Sequence, residues 1–572
     1  MIMKTKTFLL AFAIMMTVGL HAQNFETATE AVKNMGVGWN LGNTLDANGD
    51  GVHQGLDSET YWGQPQTKPE LMKMMKEAGF GAIRVPVTWY NHMDSNGKVD
   101  AEWMARVKQV VDYVINNGMY CILNVHHDTG DDSKSTNGII HWIHASMNTY
   151  NSTKAKYEYL WQQIAETFKD YDQHLLFEGY NEMLDDLNSW CFASYKAQGG
   201  YNATSATDSY NALNNYAKSF VNTVRATGGN NQKRNLVINT YAAANGSGSW
   251  NEHLQEPLSK LVIPSDPGGT GHIAVQVHAY PSLSTGKADI LDMFKKLKTY
   301  FIDKGNPVIL GEWATNNVDA AVTDYDSKRS EYLSYVSYVV KTAKQYNAAT
   351  FYWMGVSDGS YRELPAFNQP DLARQLTVAY HGGDWNGKYP TEDDFELMYV
   401  VSYNQEWGEL FLYGDWSTNT SKKLSEYSGI RVELADASYA DKLQVKVYGD
   451  NTGNNSYKEQ IVALTGATTT INFDASQLGS TFCRVTLQTL VGTTTAKVKK
   501  STLIKKDGTE EPGAISVGWG CTLTTEASPT SSVQNLRYSP EQTDIIYNLS
   551  GQRVTNPRKG LYIANGKKFI IK

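Results

Sequence analysis

Between residues 36 and 382, short apolar runs alternate with longer amphipathic stretches. The runs span 36–40, 82–87, 120–126, 175–181, 235–240, 273–280, 308–313 and 350–354. Several are continuously apolar until a polar end, the pattern of parallel strands buried on both faces. Among the stretches between them, 101–118 carries Val107, Val110, Val111, Val114 and Ile115 at helical spacing and stops at Gly118. The stretches 210–228, 288–304 and 327–346 read the same way. Eight strand–helix alternations predict an α/β fold, a closed (β/α)8 TIM barrel, with an open doubly wound sheet as the alternative.

After residue 385 the period changes. Short alternating runs at 395–402, 408–413, 430–434, 443–447, 469–473, 483–487 and 515–521 are separated by turn signals at 450–455 and at Asp507-Gly508. Short strands at such intervals predict an antiparallel β-sandwich. The segment 527–541, with Ser, Thr and two Pro, reads as a linker. Two hairpin-like pieces follow, with turns at Ser550-Gly551 and Asn565-Gly566, forming a short β-rich tail. At the other end, Lys4 and Lys6 precede an apolar run from Phe8 to Leu20, with Ala22 before Gln23. This order is that of a secretory signal peptide, and the run is short for a membrane span. The expected organisation is therefore a signal peptide at 1–22, a barrel at 23–388, a sandwich at 389–526, and a linker with tail at 527–572. The expected location is secreted or attached to the cell surface.

A length of 572 residues agrees with more than one domain. The net charge of −8 argues against a broad basic field for nucleic acid or anionic membranes, so a neutral polymer or small molecule is the more natural partner. The 14 Trp and 35 Tyr serve equally for a large core or for stacking on sugar rings. Four cysteines are few for an exported chain of this size, and no spacing resembles a zinc site. Cys121 reads as a buried apolar residue, and Cys483 and Cys521 are candidates to pair. Asp46-Ala47-Asn48-Gly49-Asp50-Gly51 resembles the start of an EF-hand loop but lacks the closing Glu, so it reads as a polar loop. Neither metal nor cofactor is expected, and a monomer is.

In a (β/α)8 barrel the active site lies at the C-terminal ends of the strands. Polar groups crowd those ends here: Asn40, Arg84, His126-His127-Asp128, Asn181-Glu182, His278-Ala279-Tyr280, Glu312-Trp313 and Trp353. A lone Glu at a strand end often caps a helix or pairs with an Arg, and a lone Trp is usually core. Together the residues make one kind of chemistry, because two carboxylates across a barrel suit glycoside hydrolysis with retention. An Arg keeps the nucleophile ionised, and aromatic rings hold sugar faces.

Six segments carry a family resemblance: GVGWNLGNTLDA from Gly36, GAIRVPVTW from Gly81, ILNVHHD from Ile122, FEGYNEM from Phe177, VHAY from Val277 and VILGEWA from Val308. Over about residues 30–383 the chain resembles glycoside hydrolase family 5. With YWGQP after GWNLGNTLDA, it is most similar to the endoglucanase branch called subfamily 4. The resemblance implies Glu182 as acid/base and Glu312 as nucleophile. It implies Asn181 on the sugar 2-hydroxyl, Arg84 supporting the nucleophile, and His126, His278 and Tyr280 lining the cleavage subsite. Trp353 would be its stacking platform, with His127 and Asn40 also assigned to substrate binding. At strand eight the relatives' Trp-Asp-Asn-Gly is replaced by Trp353-Met354-Gly355-Val356-Ser357-Asp358. The segment 184–209, with Trp190, Tyr195 and Tyr201, is longer than in short relatives and is either a cleft wall or a surface loop. The expected activity is an endo-β-1,4-glucanase on a β-glucan. The rivals are a mannanase or xylanase on the same scaffold, or a non-hydrolytic glycan-binding protein. Trp407, Trp416 and Trp519 suit either a carbohydrate-binding module or a packing role in the sandwich. The end, IIYNLSGQRV to KGLYIANGKKFIIK, resembles C-terminal tails of secreted Bacteroidetes proteins.

Overall fold

The computed structural model describes residues 25–49, 55–132, 140–195, 200–315, 321–416, 421–454 and 456–529, and short strands between 546 and 571. The segment 1–22, read as a signal peptide, and the turns at Ser550-Gly551 and Asn565-Gly566 lie outside the described residues. Eight parallel strands close into a barrel in chain order: β1 Val37–Asn40, β2 Ala82–Val85, β3 Tyr120–Asn124, β4 Leu175–Glu178, β5 Leu236–Asn239, β6 Ile273–Ala279, β7 Val308–Trp313 and β8 Ala349–Trp353. Pairing of β1 with β8 shuts the ring, which excludes the open sheet. Helices Pro69–Ala78, Ala101–Asn116, Met147–Thr167, Ala203–Ala226, Gly286–Tyr300, Ala321–Gln345 and Pro370–His381 accompany the strands.

Strands β2, β3 and β4 stop two or three residues short of the apolar runs that predict them. Pro86 has no N–H to continue the ladder after β2. Past β3 and β4, His126 and Asn181 turn their side chains toward one another, and Asn181 accepts from Arg84 across the barrel mouth. One helix begins earlier than its apolar spacing indicates, at Ala203 instead of 210, because Asn202 Oδ1 accepts from Ser205 N and caps it there.

The continuous apolar runs are explained by alternation within each strand. Trp39, Ile83, Cys121, Phe177, Ile238, Val277 and Leu310 pack outward, with the helices. Ala82, Ile122, Leu176, Val237, Ala274, Ile309 and Phe351 form a separate apolar cluster with the N-terminal helix Ala28–Met35. Two residues further along each strand the same face carries Arg84, Asn124, Glu178, Asn239, Gln276, Gly311 and Trp353. An apolar layer thus supports a polar one at the C-terminal ends. Gly38 and Gly311 are glycine for lack of room, since a Cβ would lie 2.5 Å from the Phe351 ring and 2.2 Å from the Gln276 side chain respectively.

The second unit is an antiparallel β-sandwich. One sheet joins Ser456–Ala463, Leu443–Gly453, Arg484–Thr489, Glu409–Tyr413 and Ser516–Val517 in that order. The other joins Thr468–Asn472, Tyr427–Leu434, Thr494–Lys505, Phe395–Tyr403 and Cys521–Pro529. Leu410, Leu412, Val432, Val445, Val447, Val485, Leu487 and Val498 fill the core between them. The run 515–521 is not one strand. It divides between the two sheets through a turn at Gly520, φ +65°. The last sandwich strand reaches Pro529, into the segment read as a linker. Cys483 and Cys521 are not paired: both are free thiols, Cys521 Sγ donating to Glu409 O at 3.2 Å. Sandwich and barrel touch where Lys68 Nζ donates to Thr525 O at 2.8 Å. The tail strands form a four-stranded sheet.

Candidate active site

Arg84 is the centre of the polar layer and is fully buried. Its five N–H donors are all engaged. Nε and Nη2 grip Glu178 at 2.7 Å each, Nη2 also reaches Asn181 Oδ1 at 2.8 Å, and Nη1 donates to Glu312 Oε1 at 2.7 Å and Asn40 Oδ1 at 3.0 Å. A buried guanidinium is tolerable only with such complete pairing. Asn40, in turn, donates to the carbonyls of Gly311 and Phe351 at 2.9 and 3.0 Å. It is fully buried and stands behind Arg84, positioning it.

Glu312 enters the barrel through a bulge. The pairing of β6 with β7 slips between Val277 and His278, so that Val277 faces Leu310 while His278 faces Glu312. The extra residue is Gly311, and it re-aims the carboxylate toward the axis. Burial alone would push the Glu312 carboxyl up. The His278 imidazole, the Arg84 guanidinium and the Tyr280 hydroxyl outweigh it and hold the group below the usual carboxylate range. Tyr280 Oη donates to Glu312 Oε2 at 2.8 Å, and burial keeps that hydroxyl protonated.

His278 links the two carboxylates. Its Nδ1 lies 2.8 Å from Glu182 Oε1 and 3.6 Å from Glu312 Oε2. Carboxylate oxygens of Glu182 and Glu312 approach within 4.8 Å of one another. Glu182 is the more open of the pair, its side chain 22% exposed against 6% for Glu312. Asn181 is buried beside it, its Nδ2 3.5 Å from His126 Nε2. Burial, with His127 and Arg84 adding to it, drives His126 well below the ordinary imidazole value and leaves it neutral.

Two flanks extend from this pair. On one, the Trp353 ring lies parallel to His126 with centroids 6.0 Å apart, and His127 meets Trp62 edge-on at 5.3 Å. Gly42 lets the chain pass the Trp353 ring, because a Cβ there would sit 2.9 Å from it. The altered strand-eight loop is held by Gln64 of the YWGQP segment, which donates to Asp358 Oδ1 and accepts from Gly359 N. On the other flank a cleft of about 350 Å³ is lined by Glu182, Trp190, Ala243, Asn245, Trp250, His278 and Tyr280. The 184–209 segment contributes Trp190 and Cys191 to a wall of that cleft. Asp185 folds it by accepting from Leu187, Ser189 and Ser194 N–H groups, and Phe192 and Tyr195 pack on Trp250.

The predicted residues Arg84, His126, Asn181, Glu182, His278, Tyr280, Glu312 and Trp353 thus meet at one mouth, with His127 at its edge. Glu178, Asn124, Asn239 and Gln276 were not anticipated. Asn124 and Asn239 donate to Glu178 Oε1 at 3.2 and 3.1 Å, and Gln276 to Asn239 Oδ1 at 3.2 Å. Their signal was a polar residue in a buried strand, at its end for Asn124, Glu178 and Asn239 and at its middle for Gln276. Among the described residues, Asp46–His126–His127 and Glu182–His278–Glu312 have metal-like spacing. Glu312 already accepts from a guanidinium, and Asp46 accepts from the Asn43 and Thr44 N–H groups at 3.1 and 2.8 Å. Hydrogen bonding accounts for both clusters.

Comparison with known proteins agrees with this geometry. The cellulase (glycosyl hydrolase family 5) sequence profile matches residues 45–359. Endoglucanase A of Paenibacillus barcinonensis is 34% identical over 372 residues, 59% of this chain and 84% of that protein. The solved structure of a GH5-4 broad-specificity endoglucanase from an uncultured bacterium is 62% identical, with a TM-score of 0.61, covering 64% of this chain and 98% of that one. A family 5 enzyme of Prevotella bryantii B14, solved with a xyloglucan tetradecasaccharide, is 42% identical with a TM-score of 0.56, covering 62% and 99%.

Proposed function

This chain belongs to glycoside hydrolase family 5, and on that premise we propose that it is a retaining endo-β-1,4-glucanase. Its substrates are cellulose-type, mixed-linkage or xyloglucan β-glucans, in keeping with the endoglucanases and the xyloglucan complex it resembles. Glu312 is the nucleophile and Glu182 the acid/base. The observation that carries this reading is the approach of the two carboxylates within 4.8 Å. Retention uses a separation of ~5–5.5 Å, whereas inversion needs ~6.5–9.5 Å to admit a water.

In the first half-reaction Glu312 attacks the anomeric carbon while Glu182 gives its proton to the departing glycosidic oxygen. The C–O bond to the leaving chain breaks and an ester to Glu312 forms. In the second, the Glu182 carboxylate takes a proton from water, whose oxygen displaces Glu312 and restores the β-anomer. Arg84 and Tyr280 keep Glu312 ionised for the attack, and His278 orients Glu182. The Trp353 flank then holds the glycone, and the Trp190–Trp250 flank receives the leaving chain, because that cleft adjoins Glu182. The signal-peptide pattern at 1–22 supports action outside the cytoplasm, and we take the working form to be a monomer of barrel, sandwich and tail.

The test is reducing-sugar release from carboxymethylcellulose, mixed-linkage β-glucan, xyloglucan, glucomannan, mannan and xylan, with Glu312→Gln alongside. The anomer first formed is read by proton NMR. Release from the glucans as β-anomer, abolished in the variant, is expected. Release from mannan or xylan alone would overturn the substrate. Glycan binding without hydrolysis would make the chain a binding protein.

A further inference from the structure

The outer face of a sandwich sheet is ordinarily solvated and polar. Here, on the sheet containing Glu409–Tyr413, part of that face is buried. Glu409, Gln488, Arg484, Thr486 and Tyr448 are between 0 and 7% exposed, although the sheet's core-facing residues are their neighbours Leu410, Leu487, Val485 and Val447. Three tryptophans stand around them: Trp407, Trp416 and Trp519, each about half exposed at 47, 53 and 55%. They come from separate connections. Strand pairing brings Trp407 and Trp519 to one end, where Glu409 N donates to Trp519 O at 2.7 Å. Trp416 folds back over the face, edge-on to Phe411 and Tyr448.

These side chains enclose a hollow of about 310 Å³ lined by Trp407, Glu409, Trp416, Tyr448, Gln488 and Trp519. Its size falls at the lower end of small-ligand sites, ~300–1,000 Å³. Three features make it a built site. Tyr448 Oη and Gln488 Nε2 both donate to the same oxygen of Glu409, at 2.7 and 3.2 Å, which leaves Oε2 as an acceptor toward a ligand. Arg484, 1% exposed, stacks on Trp416 and Tyr457 at 4.2 and 4.3 Å, while its Nε and Nη2 have no partner among the described residues. Trp407 holds φ +64°, a backbone conformation that costs a bulky residue about 1–3 kcal/mol. A packing role would bury these indoles, and they are not buried.

We propose that this hollow is a second glycan-binding site that takes a β-linked glucan chain, with the indoles stacking on pyranose faces and Glu409 Oε2 accepting from ring hydroxyls while Gln488, bonded to Gln444, Trp407 and Glu409, holds that carboxylate in place. Flat aromatic faces beside a carboxylate oxygen that accepts from sugar hydroxyls suit a neutral polymer of equatorially substituted sugars. The identity of the chain as a glucan rests on the endoglucanase reading of the barrel. The site would keep the barrel on the polymer between cuts, raising its local concentration in the way of linked binding modules.

The experiment is isothermal titration of the full chain, inactivated by Glu312→Gln, with a soluble β-1,4-gluco-oligosaccharide. Two sites per chain are expected. Adding Trp519→Ala, or Trp407→Ala with Trp519→Ala, should leave one site and lower retention on insoluble cellulose at least tenfold, with an unchanged thermal midpoint. Both residues are exposed, and Trp519→Ala alone serves if the pair unsettles the fold. One site before substitution, two sites after it, or a second site that takes xylan or mannan but no glucan would each overturn the inference. Hydrolysis is measured separately on the parent. A parent that cleaves glucans but binds only one oligosaccharide sinks this site alone; a parent that cleaves none sinks the enzymatic reading.

Discussion

Glu178→Gln tests the account of the polar layer most directly, because Glu178 touches no substrate. Its Oε2 accepts from Arg84 Nε, and its Oε1 from Arg84 Nη2, Asn124 and Asn239. Every neighbour is a donor. An amide of the same shape must therefore point its own N–H at one of them, whichever way it turns. One charge-assisted bond becomes a donor–donor contact, and Arg84 keeps a single carboxylate partner. Breaking a buried pair from one side costs about 3–5 kcal/mol. With an unfolding entropy of ~2 cal/mol/K per residue over a barrel of this length, the midpoint should fall by about 4–7 °C. Activity should change in a distinctive direction. Glu178 competes with Glu312 for Arg84 and repels it, so its neutralisation strengthens the hold on the Glu312 anion. The Glu312 carboxyl, already below its usual range, is lowered further. The acid limb of kcat/KM should move to lower pH while kcat falls, because a more stabilised carboxylate attacks less readily. Calorimetry and a pH profile on an aryl cello-oligoside measure both. An unchanged midpoint, or an acid limb moving upward, would refute the reasoning.

Tyr280→Phe removes the other donor to Glu312, so its carboxyl rises and the acid limb shifts to higher pH. A depressed carboxyl contributes stability above its unfolded value that is lost as pH falls through the folded one. Thermal midpoints of the variant should therefore depend less on pH below neutrality than the parent's. Gly311→Ala drives a Cβ into Gln276, costing about 1–3 kcal/mol of overpacking and displacing Glu312. Turnover should drop at least a hundredfold in a folded protein, and Gln276→Ala in the same chain should recover part of it. Trp250→Ala opens the cleft beside Glu182. KM for long oligosaccharides should rise about tenfold, a loss of roughly 1.4 kcal/mol, while short aryl glycosides keep theirs; equal effects on both would remove Trp250 from the leaving-chain side.

The barrel was legible because parallel strands buried on both faces leave continuous apolar runs, and the polar breaks at their ends cannot be afforded without a reason. Glu182 and Glu312 stand at such breaks. Glu178 stood equally in view, inside Leu-Leu-Phe-Glu, yet its meaning depends on Arg84, 94 residues earlier in the chain. No local pattern reports a pairing at that distance. The sandwich strands Ser456–Ala463 and Thr494–Lys505 escaped for the opposite reason. Thr494–Lys505 alternates but carries Lys at its open positions, and Ser456–Ala463 reverses the pattern, burying Gln460 while Ile461 is exposed, so both resemble polar loops. The role of Trp190 and Trp250 depends on loops that fold over β4 and β5, and the sequence says that they are aromatic without saying where they stand.

Arg84 also sets the moment at which the molecule becomes an enzyme. From β2 its five donors reach β1, β4, the loop after β4 and β7, and the bond to Glu312 spans 228 residues. A growing or refolding chain can complete helices and neighbouring strand pairs early, since these close short loops. The contact with Glu312 waits until the seventh strand has docked, after most of the closure entropy has been overcome. Turnover should then lag behind helix formation during refolding and vanish before it on heating. Until the ring shuts, the nascent chain carries both glutamates and cuts nothing.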